Sequence, residues 1–172
     1  MHRRSFLLAS ASLSAAHFFP VSAFAADKAG YEALIKEVIK AAASKSVADI
    51  DGLIAKLDKA ATIGADFCKE VAAKDAKNKP ILDFTAGSIE KMRATSAADF
   101  EEQWHEGKAF KAAGHDINLL DQTGMAASAT DSIIHPLTAR AALVAYKTAP
   151  APGLLKTVVE ELEEVLGHLT HL

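Results

Sequence analysis

The stretch SVADIDGLIAKLDKAATIGADFCKEV, residues 46–71, decides the fold class. Val47, Ile50, Ile54, Leu57, Ala61, Gly64, Cys68 and Val71 recur through it at alternating steps of three and four residues, without a break. That spacing keeps one apolar seam on one side of an α-helix and is the pattern of a helical bundle. Ser46 stands before the seam with Asp49 three residues on, a sequence arrangement that caps a helix N-terminus. The seam also places Cys68 in the core, as a small hydrophobe rather than a reactive thiol.

The same period extends outward in both directions. Lys28 to Ala43 aligns Tyr31, Leu34, Ile35, Val38, Ile39 and Ala42 on one stripe. After the Lys77-Asn78-Lys79-Pro80 turn, Pro80 suits the first position of a helix carrying Ile81, Phe84, Thr85, Ser88, Ile89 and Met92. Ser96 with Asp99 restarts a helix with Phe100, Trp104, Gly107 and Phe110 along one side, and Gly114 is its expected end. His115 to Thr130 is the least regular stretch, expected as a long loop with a helical turn. A further helix is expected from about Ser132 to Lys147. Beyond Pro150-Ala151-Pro152, a last helix shows Leu154, Leu155, Val158, Leu162, Val165, Leu166 and Leu169 on one face, and Glu160, Glu161, Glu163 and Glu164 on the other. No sustained apolar–polar alternation appears, so sheet is not expected. The fold class that follows is all-α: an antiparallel helical bundle of four main helices plus one or two short extra helices.

The N-terminus reads differently. Arg3 and Arg4 precede an apolar and small-residue stretch from Phe6 to Phe19, and Ala23-Phe24-Ala25 forms an A-x-A box before Ala26. This is the layout of a secretory signal. The block Arg3-Arg4-Ser5-Phe6-Leu7 resembles the twin-arginine export signal, with His2 and Leu8 departing from the usual flanking residues. The resemblance implies a bacterial periplasmic destination, passage through the twin-arginine translocation machinery, and a cargo that folds before export. Residues 1–25 are therefore read as a cleaved signal peptide and residues 26–172 as a single helical-bundle domain. No stretch after the leader approaches the roughly 20 predominantly apolar residues of a spanning helix, so no membrane span is expected in the mature form.

Charge narrows the function classes. The leader holds two of the 19 basic residues and none of the 22 acidic ones, which leaves 17 against 22 and a net charge of −5. A mildly acidic domain is poorly suited to nucleic acid or anionic lipid. The single cysteine excludes an internal disulfide, iron–sulfur ligation and a C-x-x-C-H haem attachment. No G-x-S-x-G elbow and no glycine-rich phosphate loop is present.

The remaining chemistry gathers on two histidines. His105 lies in E-E-Q-W-H-E, where Glu102 forms an E-x-x-H pair with it. Carboxylate-bridged di-iron bundles use such pairs, but they need two of them and two further glutamates, which this chain lacks. His135 lies in D-S-I-I-H-P with Asp131 four residues before it, able to hold one ring nitrogen and leave the other free. Glu102, His105, Asp131 and His135 could thus form a mononuclear site completed by His115 or Asp121, with Trp104 and Asp121 as ligand-binding neighbours. Zinc, copper or iron would accept such donors. A structural reading stands beside this one: Asp131 caps a helix, His135 anchors it, and His105 belongs to a surface Glu–His–Glu patch. His168 and His171 are expected to complement a helix dipole or to fray.

Beside a free-standing structural helper or stress protein, which predicts neither a converging site nor an exposed patch, two function classes follow. One is a periplasmic metal- or small-ligand-binding bundle, with redox or hydrolytic activity open. The other is a non-catalytic accessory subunit exported with a larger periplasmic enzyme, which predicts an exposed aromatic patch around Trp104 and Phe110.

Overall fold

The computed structural model describes residues 26–44, 47–121 and 123–172. The leader motif, Ser46 and Gln122 lie outside the described residues. Among those described, regular structure is entirely helical.

Four long helices form the bundle: α1 (Lys28–Ala43), α2 (Ile50–Ala72), α7 (Met125–Thr148) and α8 (Pro152–His168). Between α2 and α7 run the shorter α3 (Lys79–Gly87), α4 (Ile89–Ala94), α5 (Ala97–Phe100) and α6 (Lys108–Ala112). The long helices close a ring, α1 on α2, α2 on α7, α7 on α8 and α8 on α1, while α3, α4 and α5 pack on α7. Pairing along α2 and α7 is antiparallel. Cys68 Sγ donates to the Ala129 carbonyl at 3.2 Å, Arg140 Nε lies 2.9 Å from Asp58 Oδ1, and Lys147 Nζ lies 2.6 Å from Asp51 Oδ1.

Local chemistry explains the ends. Asp27 and Asp49 each accept a hydrogen bond from a backbone N–H three residues on, satisfying donors that a helix start leaves open. Asp49, which directly precedes Ile50, caps α2. The α2 seam is also wider than its alternating spacing suggests. Leu53 is buried while Ile50 and Ile54 are partly so, because α1, α3 and α7 all pack against this helix.

Helix α7 begins at Met125, well before the expected Ser132. Residues 125–130 read Met-Ala-Ala-Ser-Ala-Thr, and Ala126 to Thr130 are buried all round. A helix buried on every side carries no polar face, so its sequence shows no stripe. Asp131 is therefore inside a helix rather than at its cap.

At the centre of α7, Pro136 has no N–H to offer the Ser132 carbonyl one turn earlier. The Tyr31 hydroxyl supplies the donor instead, at 2.8 Å, in a buried bond between α1 and α7. Gly64 of α2 faces the same carbonyl, and a Cβ there would lie 2.5 Å from Ser132 O. The two helices approach this closely because position 64 has no side chain.

Helix α5 runs into a π turn, Glu101–His105, closed by Glu106 N–H on Glu101 O at 3.0 Å. Gly107, at φ 78°, ends it in a left-handed conformation where L side chains are strained. Trp104 and Phe110 are buried in an aromatic cluster with Phe84. The exposed patch expected around these two residues is absent, because both rings were drawn into the core between α3, the π turn and α6.

Candidate metal centre

Two polar stripes face each other across the α7–α8 contact. On α7, Asp131, His135 and Thr138 follow steps of four and three residues; on α8, Glu161, Glu164 and His168 follow steps of three and four. Each set therefore lies along one side of its helix. His105 enters from the third direction, on the π turn.

His135 is the centre of the arrangement, with a side chain only 6% exposed. Its Nδ1 lies 2.8 Å from Glu161 Oε2 and 3.9 Å from Glu164 Oε2. His105 Nε2 lies 2.9 Å from Thr138 Oγ1 and 3.5 Å from the same Glu161 Oε2. The His105 and His135 rings meet edge-on at 5.2 Å between centroids. On the other side, the His168 ring stacks on His135 at 5.5 Å, and its Nδ1 lies 3.5 Å from Asp131 Oδ2.

Proton accounting assigns the tautomers. The Thr138 hydroxyl donates to the Ile134 carbonyl at 2.9 Å, so towards His105 it accepts, and His105 Nε2 donates. His135 Nδ1–H donates to the Glu161 carboxylate, which leaves Nε2 as the nitrogen with a lone pair when the ring is neutral. Burial works against a charged His135, but Glu161, Asp131 and Glu164 outweigh it and hold the ring's pKa above its ordinary value. Burial likewise pushes the Asp131 carboxyl up, while His135, His168 and His105 pull it back. The ring and its carboxylates thus favour positive charge in a place with little water.

Two trios of donor atoms result, His105–His135–Glu161 and Asp131–His135–His168, each with all its atoms within 4.8 Å of one another. A cavity of about 400 Å³ adjoins them, lined by Trp104, His105, Asn118, Thr130, Asp131, His135 and His168 among others. Thr130 Oγ1 is buried on this wall without a protein hydrogen-bond partner.

Known protein families, curated proteins and solved structures offer no match to this chain.

Of the residues named from sequence, His105, His135 and Asp131 come together here, and Trp104 lines the cavity while its indole N–H donates to Thr95 Oγ1 at 3.0 Å. Glu102 does not join them. The wider π turn breaks the shared face assumed for E-x-x-H, and Glu102 pairs with Lys108 at 2.8 Å on the exposed side. His115 packs its ring on Phe84 at 5.2 Å. Asp121 is spent on its own turn, accepting from Thr123 N–H and Oγ1, and these bonds lower its pKa.

Glu161, His168 and Thr138 are the residues that sequence reasoning missed. By sequence Glu161 belongs to the acidic face of the last helix, yet its side chain is only 17% exposed. His168, expected at a fraying end, stacks on His135 instead. The matching three-and-four spacing of the two polar stripes is the signal that points to them.

Proposed function

We propose that this protein is a transition-metal-binding helical bundle of the bacterial periplasm, with His105, His135 and Glu161 as its first ligands. The observation that carries the reading is the meeting of these three donors, from the π turn, α7 and α8, within 4.8 Å. Mixed nitrogen and oxygen donors suit zinc, copper or iron better than calcium or magnesium, which prefer oxygen alone. Metal binding displaces protons from its ligands, and the Asp131 and Glu161 carboxyls beside neutral imidazoles would then offer negative charge that a divalent cation neutralises. An ion held by three protein ligands would have room for a further one, and the adjoining cavity would admit a water or small ligand. The twin-arginine-like leader supports loading before export.

The test is titration of tag-free protein with Zn²⁺ and Cu²⁺, followed by calorimetry, together with metal analysis of protein taken from its native compartment. Saturable binding in the micromolar range or tighter is expected, weakened at least about 100-fold in His135→Ala, equivalent to about 2.7 kcal/mol. Folded protein that takes up zinc, copper and iron no better than His135→Ala would overturn the reading.

A further inference from the structure

The two donor trios share one residue, His135, and a single ion cannot use both nitrogens of one ring. We infer that the centre is dinuclear: His135 bridges two divalent ions, the first held by His105 and Glu161 and the second by Asp131 and His168. This rests on the metal-binding reading above and extends it.

Three observations support the division. The donor sets meet His135 in two different ways, the His105 ring edge-on at 5.2 Å and the His168 ring stacked at 5.5 Å, and no residue but His135 is common to both. Glu161 engages Nδ1 at 2.8 Å, so Nε2 is the nitrogen left for the second trio. In each set a histidine nitrogen and a carboxylate oxygen lie 3.5 Å apart. Two ligands about 2.0–2.2 Å from one tetrahedral ion are separated by about 3.3–3.5 Å, so both edges already have the span of a shared ion.

Charge and protons balance. Asp131 and Glu161 contribute two negative charges. A doubly ligated His135 adds a third, because the neutral ring, already bare at Nε2, gives up its one remaining proton from Nδ1 to solvent as the two ions bind. Two divalent cations against three negative charges leave a single positive charge facing the cavity. No oxidant or reductant is required.

Cu²⁺ tests the inference, because two copper ions joined through one imidazolate couple their electron spins. Wild-type protein is expected to bind two Cu²⁺ per chain, with the electron paramagnetic resonance signal growing over the first equivalent and falling over the second. His168→Ala and Asp131→Asn are expected to bind one Cu²⁺ with an undiminished signal. His168 is the last residue of α8 and its side chain is 29% exposed, so His168→Ala is the variant expected to keep its fold, verified by its helical circular dichroism. Saturation at one Cu²⁺, unaffected by His168→Ala, overturns the dinuclear inference and leaves the metal-binding reading intact. Two Cu²⁺ with full signal intensity overturn the bridge. No copper binding at all overturns the underlying reading itself.

Discussion

At the scale of single residues, the centre depends on who holds each imidazole. His135 is oriented by Glu161 and His105 by Thr138, which in turn is fixed on the Ile134 carbonyl. Thr138 holds the same His105 nitrogen, Nε2, that faces Glu161, so an ion taken there displaces this bond, and Thr138→Val, which keeps the shape and removes the competing acceptor, is expected to leave Zn²⁺ binding unchanged or tighter. Calorimetry checks this, and a loss of about tenfold, as for a partner that orients a ligand, would mean that His105 ligates through its other nitrogen. A second residue-scale expectation concerns alkaline pH. Burial first, then the nearby Asp131 charge, raises both Tyr31 and Cys68 above their ordinary values of 10.0 and 9.0. A group whose folded pKa is raised keeps its full stabilising effect below the unfolded value and loses it as pH climbs towards the folded one. Stability is therefore expected to fall above about pH 9, by up to about 1.4 kcal/mol per pH unit for each group. Urea unfolding from pH 8 to 11 should show a shallower decline in the Tyr31→Phe/Cys68→Ala double variant, and identical slopes would refute the assignment. At this scale the sequence revealed His105, His135 and Asp131, because a histidine with a carboxylate nearby in the chain is visible locally. Glu161 and His168 were hidden because their partners are remote in sequence and a run of glutamates on a last helix resembles a solvated face.

At the scale of elements, α7 and the π turn do most of the positioning. The amphipathic helices α1 and α8 were legible because each has one wet and one dry side. Helix α7 was legible only in part, since its buried Ala, Ser and Thr residues surround it without a stripe. Small residues are what let α7 sit at the centre, and at Gly64 a Cβ would lie only 2.5 Å from the Ser132 carbonyl oxygen. Gly64→Ala is expected to destabilise the protein by about 1–3 kcal/mol, since its methyl would collide with the Ser132 carbonyl and the Tyr31 bond to it. Chemical denaturation measures the loss, and a neutral or stabilising result would mean that α2 and α7 do not approach as described. The π turn was illegible because a one-residue widening leaves no mark in composition. Its effect is to send His105 inward and Glu102 outward, which separates the E-x-x-H pair that the sequence suggests.

At the scale of the whole molecule, the donors come from the last two helices and from the short-helix insert between α2 and α7. A bound ion therefore staples three parts of the chain that the core alone holds together, and no described helix is long and apolar enough to cross a membrane. Binding to the folded state alone stabilises by about 2.7 kcal/mol at a free metal concentration 100 times Kd, which for a chain of this size raises Tm by about 5–10 °C. A thermal scan with Zn²⁺ and again after a chelator should show the rise and its reversal in wild type and neither in His135→Ala. The most direct measurement is X-ray absorption at the zinc edge of the loaded protein. Nitrogen and oxygen ligands at about 2.0–2.2 Å, with ring scattering from at least two imidazoles, are expected in wild type and reduced in His105→Ala. A shell of oxygens with no imidazole scattering, unchanged in His105→Ala, would contradict the claim that the two polar stripes and the π turn converge on a metal.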